Sequence, residues 1–215
     1  MISFIPTHDV TDISDSVLED NGKLKLFPSS FWRNLNWNDF RVFCHKKGRY
    51  GIPTIEMIDF LKEIIGNRKA IEIGAGNGDL GYRLGIHMTD SKLQNRPEVA
   101  LEYKLMGQPT IDYPDDVEEM EGLIAVLTHK PEVVIGSWVT TYGNPYTNKY
   151  GCNLYGINEK LMICHVDTYI LIGNIDQHGD KPIMDLPHKE YIFDWHVSRA
   201  KNQSNNRIWI WSKHD

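Results

Sequence analysis

Lys69-Ala70-Ile71-Glu72-Ile73-Gly74-Ala75-Gly76-Asn77-Gly78-Asp79 joins a short apolar run to three glycines at alternate positions. The apolar residues predict a short buried strand, and the glycines predict a sharp turn into a helix that starts near Asp79. Without a Cβ, glycine lets the backbone turn tightly and approach a ligand closely. Two phosphate-binding signatures use such a turn, and neither fits. A dinucleotide loop, G-x-G-x-x-G, would place its third glycine at residue 79, where the chain has Asp79. An anionic side chain there would also repel a pyrophosphate seated on a helix N-terminus. A P-loop needs a Gly-Lys-Ser/Thr ending, which this stretch does not have.

Working outward, Ile55, Ile58, Leu61, Ile64 and Ile65 recur at three- and four-residue steps between Thr54 and Gly66. That spacing predicts an amphipathic helix of about three turns, capped by Thr54 and closed by Gly66. After the glycines, a helix from Asp79 to Leu84 leads to a strand over 86–89 that ends at Asp90. Further along, a helix is expected over 97–106, a strand over 109–113 and a helix over 117–127. Glu132-Val133-Val134-Ile135-Gly136 has the β-branched character of a central parallel strand. A helix from Asn158 to Val166, a strand over 169–173 and a final strand over 207–212 complete the chain, with 191–197 as antiparallel partner of the last. Strands alternating with helices predict the α/β class with a largely parallel sheet.

With 215 residues, 41% hydrophobic and 24% charged, the chain has ordinary globular composition. Its first fifty residues carry Phe27, Phe31, Trp32, Trp37, Phe40, Phe43 and Tyr50, an aromatic load that argues against disorder. We therefore expect an N-terminal cover, 1–50, packed on a main domain, 51–215; its end, 49–53, is either part of that cover or part of a ligand lid. A formal charge of -6 speaks against bulk attraction to nucleic acid or anionic lipid. The chain has no run of about 18 apolar residues of the kind that would span a bilayer. Neither a basic nor a long apolar leader opens the sequence, and Cys44, Cys152 and Cys164 suggest no disulfide framework. These features lead us to expect a cytoplasmic protein without a membrane partner.

The pattern acid-Ile-Gly-x-Gly-x-Gly resembles motif I of the class I S-adenosylmethionine-dependent methyltransferases. That resemblance implies a Rossmann-like methyltransferase fold: a mostly parallel seven-stranded sheet, an antiparallel C-terminal strand, and helices on both faces. It implies S-adenosyl-L-methionine as cofactor, a ligand whose ammonium and sulfonium suit a nearby acid. Glu72 would then be the motif I acid near the methionine end, with Gly74, Ala75, Gly76, Asn77 and Gly78 as the loop beneath the cofactor. Asp90, sixteen residues after Gly74, comes early for the family's ribose-binding acid, as a short helix over 79–84 would allow; otherwise it is a loop cap. A carboxylate suits that place because two vicinal hydroxyls can both donate to it. Asp116-Val117 matches the family's adenine-binding pair, or else is a solvated acidic turn.

At the end of the fourth strand, Ser137-Trp138 lacks the proline-rich motif of amino-directed DNA methyltransferases and the Pro-Cys of cytosine-C5 enzymes. Both residues are expected to line the mouth above the methyl group, unless Trp138 only packs beneath the cover. Tyr50 stands where the superfamily often lays a segment over the cofactor. Methyl transfer from a sulfonium is an in-line displacement that needs positioning and desolvation, not a protein nucleophile. An acceptor with a proton to lose could use His178 or Tyr142, both in loops after strands. No metal-ligand motif such as His-Glu-x-x-His occurs, so metal dependence is not expected. The acceptor is expected to be a small molecule or a protein side chain, with nucleic acid disfavoured. A non-catalytic S-adenosylmethionine-binding or scaffold protein with the same fold is the alternative, and a nucleotide-dependent oxidoreductase is a more distant one.

Overall fold

A computed structural model of the chain describes residues 10–143 and 152–213; the ends of the two expected segments, 1–9 and 214–215, and residues 144–151 lie outside them. Three short helices, α1 (Ser14–Val17), α2 (Ser29–Arg33) and α3 (Trp37–Lys46), precede the strand β1 (Gly51–Ile52). Next come α4 (Ile55–Ile65), β2 (Ala70–Ile73), α5 (Asp79–Leu84), β3 (His87–Asp90), α6 (Pro97–Leu105), β4 (Glu118–Glu119) and α7 (Gly122–His129). They are followed by β5 (Val133–Ser137), β6 (Thr141–Tyr142), β7 (Cys152–Asn153), α8 (Glu159–Met162), β8 (Thr168–Asn174) and α9 (Ile175–His178). The chain ends with β9 (Lys189–Tyr191), β10 (Val197–Ser198) and β11 (Asn206–Ser212).

Seven strands form one sheet in the order β4-β3-β2-β5-β8-β11-β9. The first five are mutually parallel, and β11 runs antiparallel to its neighbours β8 and β9. This is the expected Rossmann-like methyltransferase arrangement, with the C-terminal strand inserted against the direction of the rest. β8 and β11 carry apolar side chains on both faces, which is why they are central. Tyr169, Leu171, Trp209 and Trp211 join α7 and α8 in one core, while Ile170, Ile172, Ile208 and Ile210 join α4 and α5 in another. Helices therefore cover both faces. In α4 the Thr54 hydroxyl accepts from Met57 N–H at 3.2 Å, and Gly66 terminates the helix at φ +59°. Ile55, counted in its apolar stripe, is 38% exposed; Met57 takes the buried place instead.

Three segments differ from expectation. No strand forms over 109–113; the third parallel strand is β4, inside the stretch read as helix, and α7 begins only at Gly122. Pairing decides this, because Thr89 and Asp90 align with Glu118 and Glu119, while Ile111 N–H is satisfied by the Gln94 side chain at 2.8 Å. Glu121 then accepts from Ile124 N–H and starts the helix. Over 191–197 only Tyr191 pairs with β11. Phe193 and Trp195 stack on each other and meet the Phe60 ring edge-on and at a tilt instead, and Val197 crosses to pair with Ile52 of β1. That exchange links the N-terminal segment to the sheet: Trp32, Phe40 and Phe43 form a third core with Ile52 and Val197.

Candidate functional site

In open parallel sheets, ligands bind beyond the carboxyl ends of the strands, where the strand order reverses. Here the reversal lies between β2 and β5, and a cavity of about 250 Å³ opens there. The glycine loop forms one side. Gly74, Gly76 and Gly78 sit at φ +60°, +55° and +68°, a region costly for residues with a Cβ. Space is short as well, since a Cβ on Gly74 would lie 2.7 Å from the Val139 side chain. Ala75 N–H bonds to Thr89 O at 3.0 Å, and Gly78 N–H closes the turn on Ala75 O at 2.8 Å. Asp90, at the end of β3, ties the loop down. One carboxylate oxygen accepts from Gly76 N–H at 2.9 Å and the other from Lys92 N–H at 2.7 Å.

Three buried acids surround this loop. Burial pushes the Glu72 carboxyl up to about 8, opposed by a 2.8 Å hydrogen bond from Gly81 N–H and reinforced by repulsion from Asp79 and Asp90. Burial also raises Asp79 and Asp90. Asp79, next after the glycines, is answered by Arg49, whose Nε lies 2.9 Å away; Leu24 N–H donates to the same carboxylate. Lys23 Nζ reaches Asn77 O at 2.9 Å. The N-terminal segment is thus fastened directly to the glycine loop. Glu72, Asp79 and Asp90 all border the cavity. This donor set disfavours a phosphate and suits a ligand bearing a cation and hydroxyl donors. Beyond these two N–H groups Asp90 keeps lone-pair capacity for such donors. The residues present therefore fit S-adenosylmethionine.

Tyr50, Ser137 and Trp138 also line the cavity. Trp138 adopts φ +58°, uncommon for a residue with a side chain, and its buried indole N–H has no partner. Its ring lies 6.1 Å from that of Tyr50, over which the Arg199 guanidinium sits at 3.7 Å. Trp138 thus both borders the cavity and packs against the end of the cover.

Five expected residues stand off the cavity lining, the first of them Gly78, where a Cβ would meet Lys23, Met88 and Val117 instead. Asp116 does not border the cavity but pairs with Lys23 at 2.9 Å, because β4 carries it to the outer side of the loop. Val117 is buried beneath Gly78. His178 is buried behind Trp138, 5.3 Å from its ring, and its Nδ1 accepts from Asn174 N–H. Burial, helped by Lys181, pushes its pKa down to about 3, so it is a poor proton acceptor. Tyr142 is 56% exposed in β6 and also lies off the cavity. In place of Asp116 and Val117, the segment after β3 contributes Gln94, Tyr103, Ile111 and Tyr113. Tyr113 lowers the Asp90 carboxyl, against the effect of burial. No local pattern marks these residues; the Gln94–Ile111 hydrogen bond bends their segment toward the cavity.

No family model matches the chain, and no curated protein does. Among solved structures, it is similar to SMU.776, a proposed methyltransferase complexed with SAH, at 10% identity and a TM-score of 0.34. That match covers 69% of this chain and 47% of the other, so the chain spans about half the length of SMU.776. A proposed RNA methyltransferase, PH1948 from Pyrococcus horikoshii, matches at 12% identity over 95% of this chain and 99% of that one, with a TM-score of 0.34. The Thermoplasma acidophilum protein 1320 matches at 17% identity over 81% and 94%, with a TM-score of 0.32. Similarities of this size decide nothing about the site, whose reading rests on strand order and side-chain geometry.

Proposed function

We propose that the chain binds S-adenosylmethionine in this cavity and transfers its methyl group in line to a small molecule or a protein side chain. One observation carries the reading: Asp90, fixed by two backbone N–H groups, faces the cavity beside a left-handed glycine loop at the switch point of the sheet. When bound, the cofactor would supply an electrophilic methyl carbon on a sulfonium. Asp90 would accept from the ribose hydroxyls, and the Gly74–Gly78 backbone would give the approach that a Cβ blocks. Glu72, neutral while buried among other acids, would ionise as a cation enters. Tyr50, Ser137 and Trp138 would wall off the acceptor side, excluding water and orienting the acceptor.

Calorimetry on the full chain tests the reading, with S-adenosylmethionine and S-adenosylhomocysteine as ligands and NAD as control. Binding of both adenosyl ligands, lost in a folded Gly76→Val variant, supports it. No binding by the folded chain, or unchanged affinity in that variant, overturns it. Binding without transfer to any acceptor in a broad screen favours the second reading, a non-catalytic cofactor-binding protein. The observation on its side is that neither His178 nor Tyr142 lines the cavity.

A further inference from the structure

At the opposite end of the same strand lies a second cluster. His87 opens β3, three residues before Asp90, which at about 3.3 Å per residue puts it roughly 10 Å from the cavity rim. Its Nε2 is 2.6 Å from Glu118 Oε2, at the start of β4. The Nε2 of His129, last residue of α7, is 2.8 Å from the same oxygen. The two imidazole rings are 4.4 Å apart between centroids, and the three ligand atoms all lie within 4.8 Å of one another. Among the described residues, no other group of His, Cys, Asp and Glu side chains converges in this way.

We propose that His87, Glu118 and His129 bind one divalent first-row metal ion of the zinc type. Two neutral imidazoles can meet one carboxylate oxygen only by each spending a ring proton on it. A single cation at their centre would take the place of both protons, which move to the Nδ1 atoms as the rings change tautomer, and bind the two freed Nε2 lone pairs and the carboxylate as ligands. Zinc bonds to His and Glu are about 2.0–2.2 Å, so tetrahedral neighbours stand about 3.3 Å apart. The two nitrogen–oxygen distances would open by roughly half an ångström to meet that geometry. Partial exposure, from 23% for His129 to 44% for His87, leaves an entry path and a fourth position for water. Two imidazoles with one carboxylate suit zinc and its neighbours, whereas magnesium and calcium call for oxygen ligands. The ligands come from three elements, so the ion would fasten the two-residue edge strand β4 to β3 and α7. The proposal departs from the expectation of no metal, which rested on local motifs; these ligands stand 31 and 11 residues apart in sequence.

The test is a Zn²⁺ titration of the EDTA-stripped full chain, read by calorimetry and by melting temperature. One equivalent bound per chain with a raised melting temperature is expected, and Mg²⁺ should produce neither. His87→Gln and His129→Gln, shown folded by circular dichroism, should each weaken Zn²⁺ binding by about 100-fold or more. His165→Ala, outside the cluster, should leave it unchanged. The proposal is overturned if the folded wild-type chain binds no Zn²⁺, if both cluster variants bind as it does, or if Mg²⁺ binds equally well. None of these readouts depends on the cofactor cavity, so failure here leaves the methyltransferase reading standing.

Discussion

Replacing Glu72 by Gln keeps an oxygen acceptor for Gly81 N–H and removes an ionisable carboxyl from among Asp79 and Asp90. Burial moves that carboxyl from 4.5 to about 8 in the folded chain. The folded state then holds a proton that the unfolded chain releases, so stability is full below about pH 4.5 and is lost as pH rises through about 8. At about 1.4 kcal/mol per pH unit, the loss reaches roughly 3 kcal/mol by pH 7 and roughly 5 kcal/mol by pH 9. Urea unfolding followed by tryptophan fluorescence, near pH 5, 7 and 9, measures it directly. Wild type and Glu72→Gln should agree closely at the acid end, and the variant should become the more stable by several kcal/mol at the alkaline end. Asp79 and Asp90 titrate in both proteins, so the difference isolates Glu72. Parallel stability profiles would refute the account of Glu72 as a neutral buried acid. On the proposed function, cation binding near pH 7 should also release a proton from wild type and none from the variant, read by calorimetry in buffers of different ionisation enthalpy.

Arg49→Met strands Asp79 as a buried, unpaired charge and should cost about 3–5 kcal/mol in urea unfolding at neutral pH, with Arg49→Met/Asp79→Leu recovering much of it. A loss below about 1 kcal/mol would mean that the pair does not anchor the N-terminal segment. Both ring nitrogens of His196 are buried without a partner, and burial, aided by Arg207, pushes its pKa from 6.5 to about 3. Its stabilising contribution is present above pH 6.5 and lost as pH falls toward 3, so melting temperature should drop on acidification, less steeply in His196→Phe. Identical slopes would contradict this. Burial lifts the Cys44 thiol to about 12, whereas Cys164 is exposed. Brief labelling of the native chain with a charged thiol reagent, followed by peptide mapping, should modify Cys164 and spare Cys44; equal rates would refute that protection.

The elements readable in the sequence are those whose signal is local. Side chains at every second position in β8 and β11, the three- and four-residue stripe of α4, and the glycines at 74, 76 and 78 each restrict the backbone within a few residues of themselves. That sufficed for the α/β class, the strand–turn–helix at the site, and the placing of Glu72 and Asp90 beside it. A two-residue strand such as β4 has no period to read; it exists because β3 presents an unpaired edge, and it displaced the predicted helix by several residues. The same shift turned Asp116 toward Lys23 and brought Ile111 and Tyr113 to the cavity. His178 shows the reverse case: a histidine after a strand reads as an available base, but the neighbouring Trp138 and Trp209 enclose it and remove its basicity. Arg49 with Asp79, and His87 with Glu118 and His129, meet only after the chain has folded back on itself. Backbone preference is set by near neighbours in sequence, whereas charge, burial and ligation are set by neighbours in space, and those exist only in the tertiary structure.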